Sequence, residues 1–301
     1  MIVFLQRKFV KNVGLSRIKK ICVCGAGTMG SGIAQVAAQN GFTVIQYDLD
    51  EQMLSKSRRV ITDDLQKLVD KGKITTDEKE AAVSRLIFSS NINDCTADVI
   101  IEAVVEDKEI KRQVFNSLYT INSPDTIFAT NTSSISVSEL CSGAPYEERF
   151  AGMHFFNPAP VMKLVEVVRA DKTTPAVIDT IVELAKLLNK TPVVCNDSPG
   201  FIVNRVARHY YLEAMNMVEQ GIADVETVDA VMEATGFKMG PFKLMDLIGL
   251  DVNYSVSNIV WEALGKPERL RPSNLQKNKV TMGELGRKTG KGFYDYEISN
   301  P

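Results

Sequence analysis

The chain has 301 residues, of which 45% are hydrophobic and 24% are charged, a balance typical of a folded protein with one large domain or two unequal domains. Its 35 Lys and Arg residues nearly match its 37 Asp and Glu residues, and this argues against a nucleic-acid partner, which usually requires a basic excess. No uninterrupted apolar stretch reaches about 18 residues, so we expect no transmembrane helix and no membrane partner.

Residues 1–16 are apolar and basic and contain no acid. They are equally consistent with a weak organellar presequence, a short extension or a start codon assigned too far upstream. We therefore expect a cytoplasmic protein, or a mitochondrial matrix protein if the segment is a genuine presequence. The five cysteines are odd in number and scattered, which predicts free thiols in a reducing compartment and no bound metal.

Strand-like runs alternate with helical stretches over the first two thirds of the chain, which predicts a doubly wound, mostly parallel α/β sheet. The predicted strands are Ile18 to Cys24, Phe42 to Tyr47, Val99 to Val105, Thr126 to Thr130, Ala151 to Phe155, Leu164 to Val168 and Thr191 to Cys195. From Phe201 onward the pattern is almost wholly helical. The sequence thus predicts an α/β domain over residues 17–199 and an all-α C-terminal domain over residues 200–301.

The segment from Gly25 to Gly30 is the strongest local motif. It has the GxGxxG spacing and lies between a predicted strand and a predicted helix, which is the context of a dinucleotide-binding loop. In such a loop Gly25 allows a tight turn, Gly27 lets the backbone approach a pyrophosphate, and Gly30 lets the helix pack on the strand. Asp48 closes the second strand, where an acid accepts hydrogen bonds from ribose hydroxyls and repels a 2′-phosphate. The motif predicts a Rossmann-type domain that binds NAD; a purely structural glycine turn is the alternative.

The chain has two histidines, His154 and His209. His154 lies at the predicted carboxyl end of a strand, where open α/β sheets bind their ligands. Glu166 interrupts the apolar run of the next predicted strand, and a buried charge is costly unless it is paired. We therefore expect the two side chains to pair, which would fix the tautomer of the imidazole. His209 lies in a helical stretch and is interpreted as structural.

Several sequence blocks follow one another along the chain, namely Gly25 to Gly30, Glu102 to Glu106, Asn131 to Ser134, His154 to Pro158, Pro199 to Arg205, Gly240 to Phe242 and Lys288 to Tyr294. With these blocks in the family's order, the chain from about Ile18 to Tyr296 resembles the short-chain 3-hydroxyacyl-CoA dehydrogenases, especially the bacterial-type 3-hydroxybutyryl-CoA dehydrogenases. The resemblance implies a nicotinamide-dependent enzyme that acts on the C3 hydroxyl of a short acyl-CoA. Two alternatives are an enzyme of free hydroxy acids and a non-catalytic relative that kept the fold.

The resemblance also implies roles for individual residues. His154 matches the general base and Glu166 its carboxylate partner, and Ser133 and Asn204 match the groups that hold the substrate's C3 oxygen. The implied cofactor contacts are Gly25, Ala26, Gly27, Thr28, Met29, Gly30, Asp48, Glu106, Lys111, Ser133, Asn157 and Lys288.

Three of these assignments have competing interpretations. Lys291 competes with Lys288 for the place near the nicotinamide. Lys71 and Lys73 match a region that meets the CoA phosphates, but a solvated helix end explains them equally well. Ser133 and Asn204 are residue types that also occur as turn and helix-start residues.

The helical stretch from Phe201 onward has many apolar faces for its length, including Phe242 to Val260. A subunit interface would bury them. We therefore expect a homodimer built through the C-terminal domain, which the resemblance also implies.

Overall fold

The computed structural model describes residues 18–297, so the N-terminal extension expected at 1–16 lies outside the described part of the chain. The chain divides into two compact units, one ending at Asp197 and the other beginning at Ser198. Within residues 18–297 no helix is long and apolar enough to cross a membrane.

The first unit is built on one eight-stranded sheet with the order β3-β2-β1-β4-β5-β6-β7-β8. Its strands are β1 Lys20–Cys24, β2 Thr43–Tyr47, β3 Leu86–Ser89, β4 Val99–Glu102, β5 Ile127–Thr130, β6 Phe150–Phe155, β7 Leu164–Arg169 and β8 Thr191–Asn196. All neighbouring strands are parallel except β6 and β7, which are antiparallel. The predicted doubly wound, mostly parallel sheet is thereby confirmed.

The helices of the first unit are α1 Thr28–Gln39, α2 Glu51–Asp70, α3 Thr76–Ser84, α4 Lys108–Ile121, α5 Val137–Cys141 and α6 Pro175–Leu187. Helix α1 is buried along most of its length because small and apolar residues let it lie close to the sheet. Helix α2 is amphipathic and buries only Leu54, Ser57, Ile61 and Leu65, and the Asp50 carboxylate caps its first turn.

Several strand ends differ from the predicted ones by one or two residues, and two differences are larger. β3 is an additional, four-residue strand at the edge of the sheet, and only part of its surface is covered. β4 ends at Glu102 although the apolar run continues to Val105, since Val105 lies in the following loop with 61% of its surface exposed. All five cysteines are free thiols, as expected, and Cys22 and Cys24 share a face of β1 with their Sγ atoms 3.8 Å apart.

The second unit is helical, as predicted, with helices α7 Val203–Glu219, α8 Val225–Ala234, α9 Pro241–Ile248, α10 Leu250–Ala263 and α11 Asn274–Thr281. Two buried carboxylates hold its C-terminal segment. Asp246 accepts hydrogen bonds from the amides of Phe293 and Tyr294 and from the Tyr296 hydroxyl, at 2.9–3.0 Å. Asp229 accepts from the Tyr294 hydroxyl at 2.9 Å. These bonds fix the segment against α8 and α9.

Candidate active site

The glycine loop joins β1 to α1 and has no room for side chains at two of its glycines. Gly25 has φ +112°, and a Cβ there would lie 2.4 Å from the backbone oxygen of Ala103. A Cβ on Gly30 would lie 2.0 Å from the backbone oxygen of Gly25. At Gly27, by contrast, a Cβ would meet nothing within 4 Å. The open side of the loop at Gly27, beside the start of α1 at Thr28, therefore leaves room for a phosphate group.

Asp48 follows β2 and borders the same loop. Its Oδ2 accepts a hydrogen bond from the Ala26 amide at 2.7 Å, and its Oδ1 accepts from the Asp50 amide at 3.0 Å. The carboxylate is half-buried, and the neighbouring Leu49 side chain is 81% exposed. The carboxylate lies where an acid could accept hydrogen bonds from the hydroxyls of a ribose.

A buried relay that the sequence interpretation missed supports this loop. The Ser57 hydroxyl on α2 donates to Gln46 Oε1 at 2.7 Å, and Gln46 Nε2 donates to the Gly25 carbonyl at 3.3 Å. A glutamine within the otherwise apolar β2 was the available signal, because a buried amide needs partners.

His154 and Glu166 lie directly opposite each other in the antiparallel pairing of β6 with β7. His154 Nδ1 and Glu166 Oε2 are 2.8 Å apart, and the two residues are 4% and 0% exposed. A proton on Nδ1 donated to the carboxylate leaves Nε2 as a hydrogen-bond acceptor. The Phe156 ring lies beside the imidazole, with 4.7 Å between the ring centroids. The structure thus brings together the histidine and the acid that the sequence singled out.

Ser133 lies in the loop after β5 and is half-buried. The loop is held by Glu106, whose Oε1 accepts from the Ser133 amide at 2.8 Å and from the Thr132 hydroxyl at 2.6 Å. Glu106 Oε2 lies 3.2 Å from the ammonium of Lys111.

Lys111 itself is only 1% exposed, and its ammonium donates to Glu102 Oε1 at 2.7 Å. Glu102 was not singled out from the sequence. Its position in the apolar run of β4 was a signal of the same kind as that of Glu166.

Asn157 is exposed on the loop after β6. It lines a cavity of about 240 Å³ together with residues of α1 and α2, among them Lys56 and Asp64. Lys71 and Lys73 are exposed at the C-terminal end of α2 and in the turn that follows.

Two of the predicted site residues belong to the second unit. Asn204 lies in the first turn of α7 and is half-buried, and its backbone carbonyl accepts from Arg208 Nε at 3.0 Å. The Lys288 ammonium is paired with both carboxylate oxygens of Asp251, at 2.6 and 2.7 Å.

Arg208 was also missed in the sequence. Its side chain is buried and donates to the carbonyl and the side-chain oxygen of Asn253 and to the hydroxyl of Ser257. Burial lowers the pKa of Arg208 to about 10. The segment that carries Asn204 is thus tied to α10.

The glycine loop, the acid after β2 and the parallel order of the surrounding strands define the first unit as a Rossmann-type dinucleotide-binding domain. A family model described as "3-hydroxyacyl-CoA dehydrogenase, NAD binding domain" matches residues 20–198, and one for the C-terminal domain of the same enzyme matches residues 200–296. The chain therefore belongs to the 3-hydroxyacyl-CoA dehydrogenase family, as the sequence motifs indicated, and the cofactor of this family's first domain is NAD.

Individual relatives agree with this assignment. The chain is 43% identical over 281 residues to a 3-hydroxyadipyl-CoA dehydrogenase of Escherichia coli, an alignment that covers 93% of this chain and 59% of that protein. It is 42% identical over 279 residues to a probable 3-hydroxybutyryl-CoA dehydrogenase of Deinococcus radiodurans, covering 92% of this chain and 100% of the relative.

Among solved structures, a 3-hydroxybutyryl-CoA dehydrogenase from Escherichia coli superposes with a TM-score of 0.91 at 43% identity, over 94% of this chain and 61% of that one. The chain thus spans about three fifths of the length of its Escherichia coli relatives and the whole length of the Deinococcus protein.

Proposed function

We propose that the chain interconverts a short-chain 3-hydroxyacyl-CoA, such as 3-hydroxybutyryl-CoA, and the corresponding 3-ketoacyl-CoA, with His154 as the general base. The observation that carries the proposal is the buried pair of His154 and Glu166 near the carboxyl end of a strand in a dinucleotide-binding sheet. Membership of the 3-hydroxyacyl-CoA dehydrogenase family supplies the reaction class.

When bound, NAD would supply the acceptor for the hydride from C3 of the substrate. As the hydride leaves, His154 Nε2 accepts the proton of the C3 hydroxyl, an effect typically of order 10²–10⁴ in rate. Glu166 stabilises the resulting imidazolium through its contact with Nδ1. Ser133 and Asn204 donate hydrogen bonds to the C3 oxygen and orient it. In the reverse direction the imidazolium returns the proton to the keto oxygen.

The cofactor positions inferred from the resemblance form part of this proposal. The loop from Gly25 to Gly30 would hold the pyrophosphate and Asp48 the adenine ribose. Support comes from the open backbone at Gly27 and from the place of the Asp48 carboxylate against the loop. Asn157 is proposed to contact the cofactor, and Lys288 is proposed to approach its nicotinamide end.

The CoA substrate is supported by relatives named 3-hydroxybutyryl-CoA dehydrogenase, two of them with the qualifier "probable". Lys71 and Lys73 are exposed and cationic, so they are available to the phosphates of CoA. We propose short acyl chains on the strength of the same names.

The proposal is tested by steady-state oxidation of NADH and NADPH with acetoacetyl-CoA, compared with acetoacetate that carries no CoA. We expect turnover with NADH and acetoacetyl-CoA and little with the other combinations. Equal activity on acetoacetate would replace the acyl-CoA with a free hydroxy acid as the substrate class.

The role of the base is tested by His154→Gln, with His209→Gln as the matched control because His209 is the chain's other histidine and is exposed on α7. We expect the first variant to lose activity by orders of magnitude while it still binds NADH, and the second to keep activity. An active His154→Gln enzyme excludes the proposed mechanism.

We further propose that the chain forms a homodimer through the second unit. Large apolar side chains remain at least 48% exposed there, among them Val206, Phe237, Leu247 and Val252. A self-complementary interface would bury such residues. Sedimentation velocity at micromolar concentration should give a dimer, and a stable monomer would exclude this assembly.

A further inference from the structure

We propose that Glu102 and Lys111 are positioning residues, which hold the loop carrying Ser133 in place through the carboxylate of Glu106. The inference rests on the proposed function, since it gives Ser133 its place for the C3 oxygen of the substrate. It also gives Lys111 an indirect part in the site, different from the direct cofactor contact that the family resemblance implies.

The Lys111 ammonium lies between two carboxylates. Lys111 lies on α4 and is 1% exposed, so its charge is removed from solvent. Its Nζ is 2.7 Å from Glu102 Oε1 and 3.2 Å from Glu106 Oε2. One cation thus connects the end of β4 to the loop that precedes α4.

Hydrogen bonds to both carboxylate oxygens fix the orientation of Glu102. Its Oε1 accepts from the Val104 amide at 2.7 Å in addition to the ammonium, and its Oε2 accepts from the Thr130 hydroxyl at 2.7 Å. Glu102 is 0% exposed. Burial raises its pKa even though Lys111 acts in the opposite direction. The Lys111 ammonium, the Thr130 hydroxyl and the Val104 amide all favour the charged form of this buried carboxylate, and they fix both of its oxygens.

The two carboxylate oxygens of Glu106 have different partners. Oε2 meets Lys111, whereas Oε1 accepts from the loop after β5. The loop donors are the Thr132 hydroxyl at 2.6 Å, the Ser133 amide at 2.8 Å, the Ser134 amide at 3.2 Å and the Ser134 hydroxyl at 2.9 Å. One carboxylate oxygen thus holds the loop at Ser133 and at both of its neighbours.

The positive charge of Lys111 links Glu102, Glu106 and the Ser133 loop. Burial alone would raise the pKa of Glu106, but the Lys111 ammonium and the loop hydrogen bonds outweigh it and keep the pKa below its usual value. Without the ammonium, two carboxylates would share a largely buried space, and at least one of them would protonate or move. A protonated or displaced Glu106 holds the loop less firmly, so Ser133 loses its fixed position.

The test uses Lys111→Met in the full chain, with Lys108→Met as the matched control. Lys108 lies three positions earlier on α4, and its ammonium pairs with Glu139 at the surface. Hydrogen–deuterium exchange is followed in peptides covering residues 130–136. We expect exchange of the loop amides to quicken about tenfold in Lys111→Met, the size expected for losing hydrogen bonds to a charged group, and to stay unchanged in the control. Unchanged exchange in Lys111→Met overturns the proposal.

A second variant, Glu102→Gln/Lys111→Met, separates positioning from stability. It removes the buried carboxylate that the single variant leaves without its cation, so the melting temperature should return toward that of the native chain. Loop exchange should remain fast and kcat/KM with acetoacetyl-CoA low, because Glu106 still lacks its ammonium. If the double variant restores loop exchange and kcat/KM along with stability, Lys111 only neutralises Glu102, and the positioning role is excluded.

The link to Ser133 is measured by adding Ser133→Ala to Lys111→Met. If the network acts through Ser133, Lys111→Met lowers kcat/KM by a smaller factor in the Ser133→Ala background than in the native one. Equal factors in both backgrounds overturn that link. The exchange measurement needs no substrate, so a native chain that reduces no acyl-CoA would refute the proposed function and still leave the network tested.

Discussion

Glu166→Gln is the sharpest single test of the His154–Glu166 pair, since glutamine keeps the shape of the side chain and removes its charge. Nδ1 of His154 and Oε2 of Glu166 are 2.8 Å apart, and both residues are buried. During alcohol oxidation the positive charge that develops on the imidazole would lose its counter-charge. The glutamine amide could also donate to Nδ1, which would leave the proton on Nε2, the nitrogen that has to accept.

The size of the effect follows from the geometry. Two unit charges about 4 Å apart attract by about 4 kcal/mol at an effective dielectric constant of about 20, and we take this as the scale of the effect. Each 1.4 kcal/mol corresponds to about tenfold in rate. We therefore expect kcat for oxidation of 3-hydroxybutyryl-CoA to fall on the order of 10²–10³-fold.

The assay is NADH formation at saturating substrate, together with NADH binding by fluorescence and thermal unfolding. The melting temperature should change little, because glutamine keeps the size of the side chain and can still form a hydrogen bond with Nδ1. Glu139→Gln serves as the control, since Glu139 is exposed and pairs with Lys108. A Glu166→Gln enzyme within about threefold of native kcat refutes the electrostatic reasoning, and a loss of kcat matched by a loss of fold assigns Glu166 a structural role instead.

Three further predictions concern the cofactor loop and the C-terminal segment. Asp48→Ser should raise KM for NADH about tenfold or more, because a hydrogen bond to a carboxylate contributes about 1.5–3 kcal/mol, and it should reduce the preference for NADH over NADPH. Steady-state kinetics with both cofactors checks this, and an unchanged ratio of kcat/KM for NADH to that for NADPH contradicts it. Gly27→Ala should leave the melting temperature unchanged and weaken NADH binding, since its Cβ meets no protein atom within 4 Å. Gly30→Ala should destabilise the fold, since its Cβ would lie 2.0 Å from a backbone oxygen. Thermal unfolding and NADH titration check both variants, and the reverse pattern contradicts this description of the loop. Asp246→Asn should lower the free energy of unfolding by about 2 kcal/mol or more, because Asp246 is 0% exposed and accepts three hydrogen bonds. Tyr296→Phe should lower it by about 1 kcal/mol, because the Tyr296 hydroxyl donates one of those bonds. Denaturant unfolding checks both variants, and equal losses of stability contradict the prediction.

Much of the fold was predictable because its signals are local. The glycine spacing after an apolar strand predicted the loop and α1, and the end of strand-like runs after Gly200 predicted a helical second part. β3 was not predicted because its four residues, Leu86–Ser89, lie at an edge where only part of the strand is covered, so its apolar pattern is weak. The end of β4 was misplaced because an apolar side chain such as Val105 can also lie exposed in a loop.

The candidate site was predictable where a charge interrupts a buried strand. That argument singled out Glu166, and it applies equally to Glu102, whose partner the sequence does not reveal. Lys108, Lys111 and Arg112 all lie in the first two turns of α4. Only packing of that helix on the sheet decides that Lys111 is buried and that the other two reach the surface of the first unit.

The sheet order explains why two buried carboxylates of one unit are proposed for different tasks. β4, β5 and β6 are parallel neighbours, so Glu102, the Ser133 loop and His154 gather toward the same edge, and the antiparallel β7 brings Glu166 into register with His154. An imidazole gains and loses a proton near neutral pH, so a carboxylate beside it can act on a charge that changes during each turnover. A lysine ammonium carries a constant charge in that range, and a carboxylate beside it can only hold geometry. The partner of each acid, rather than its burial, thus separates a proposed role in proton transfer from a proposed role in positioning. Variants of the His154–Glu166 pair should lower kcat and leave the Ser133 loop intact. Variants of the Glu102–Lys111 pair should instead loosen that loop first.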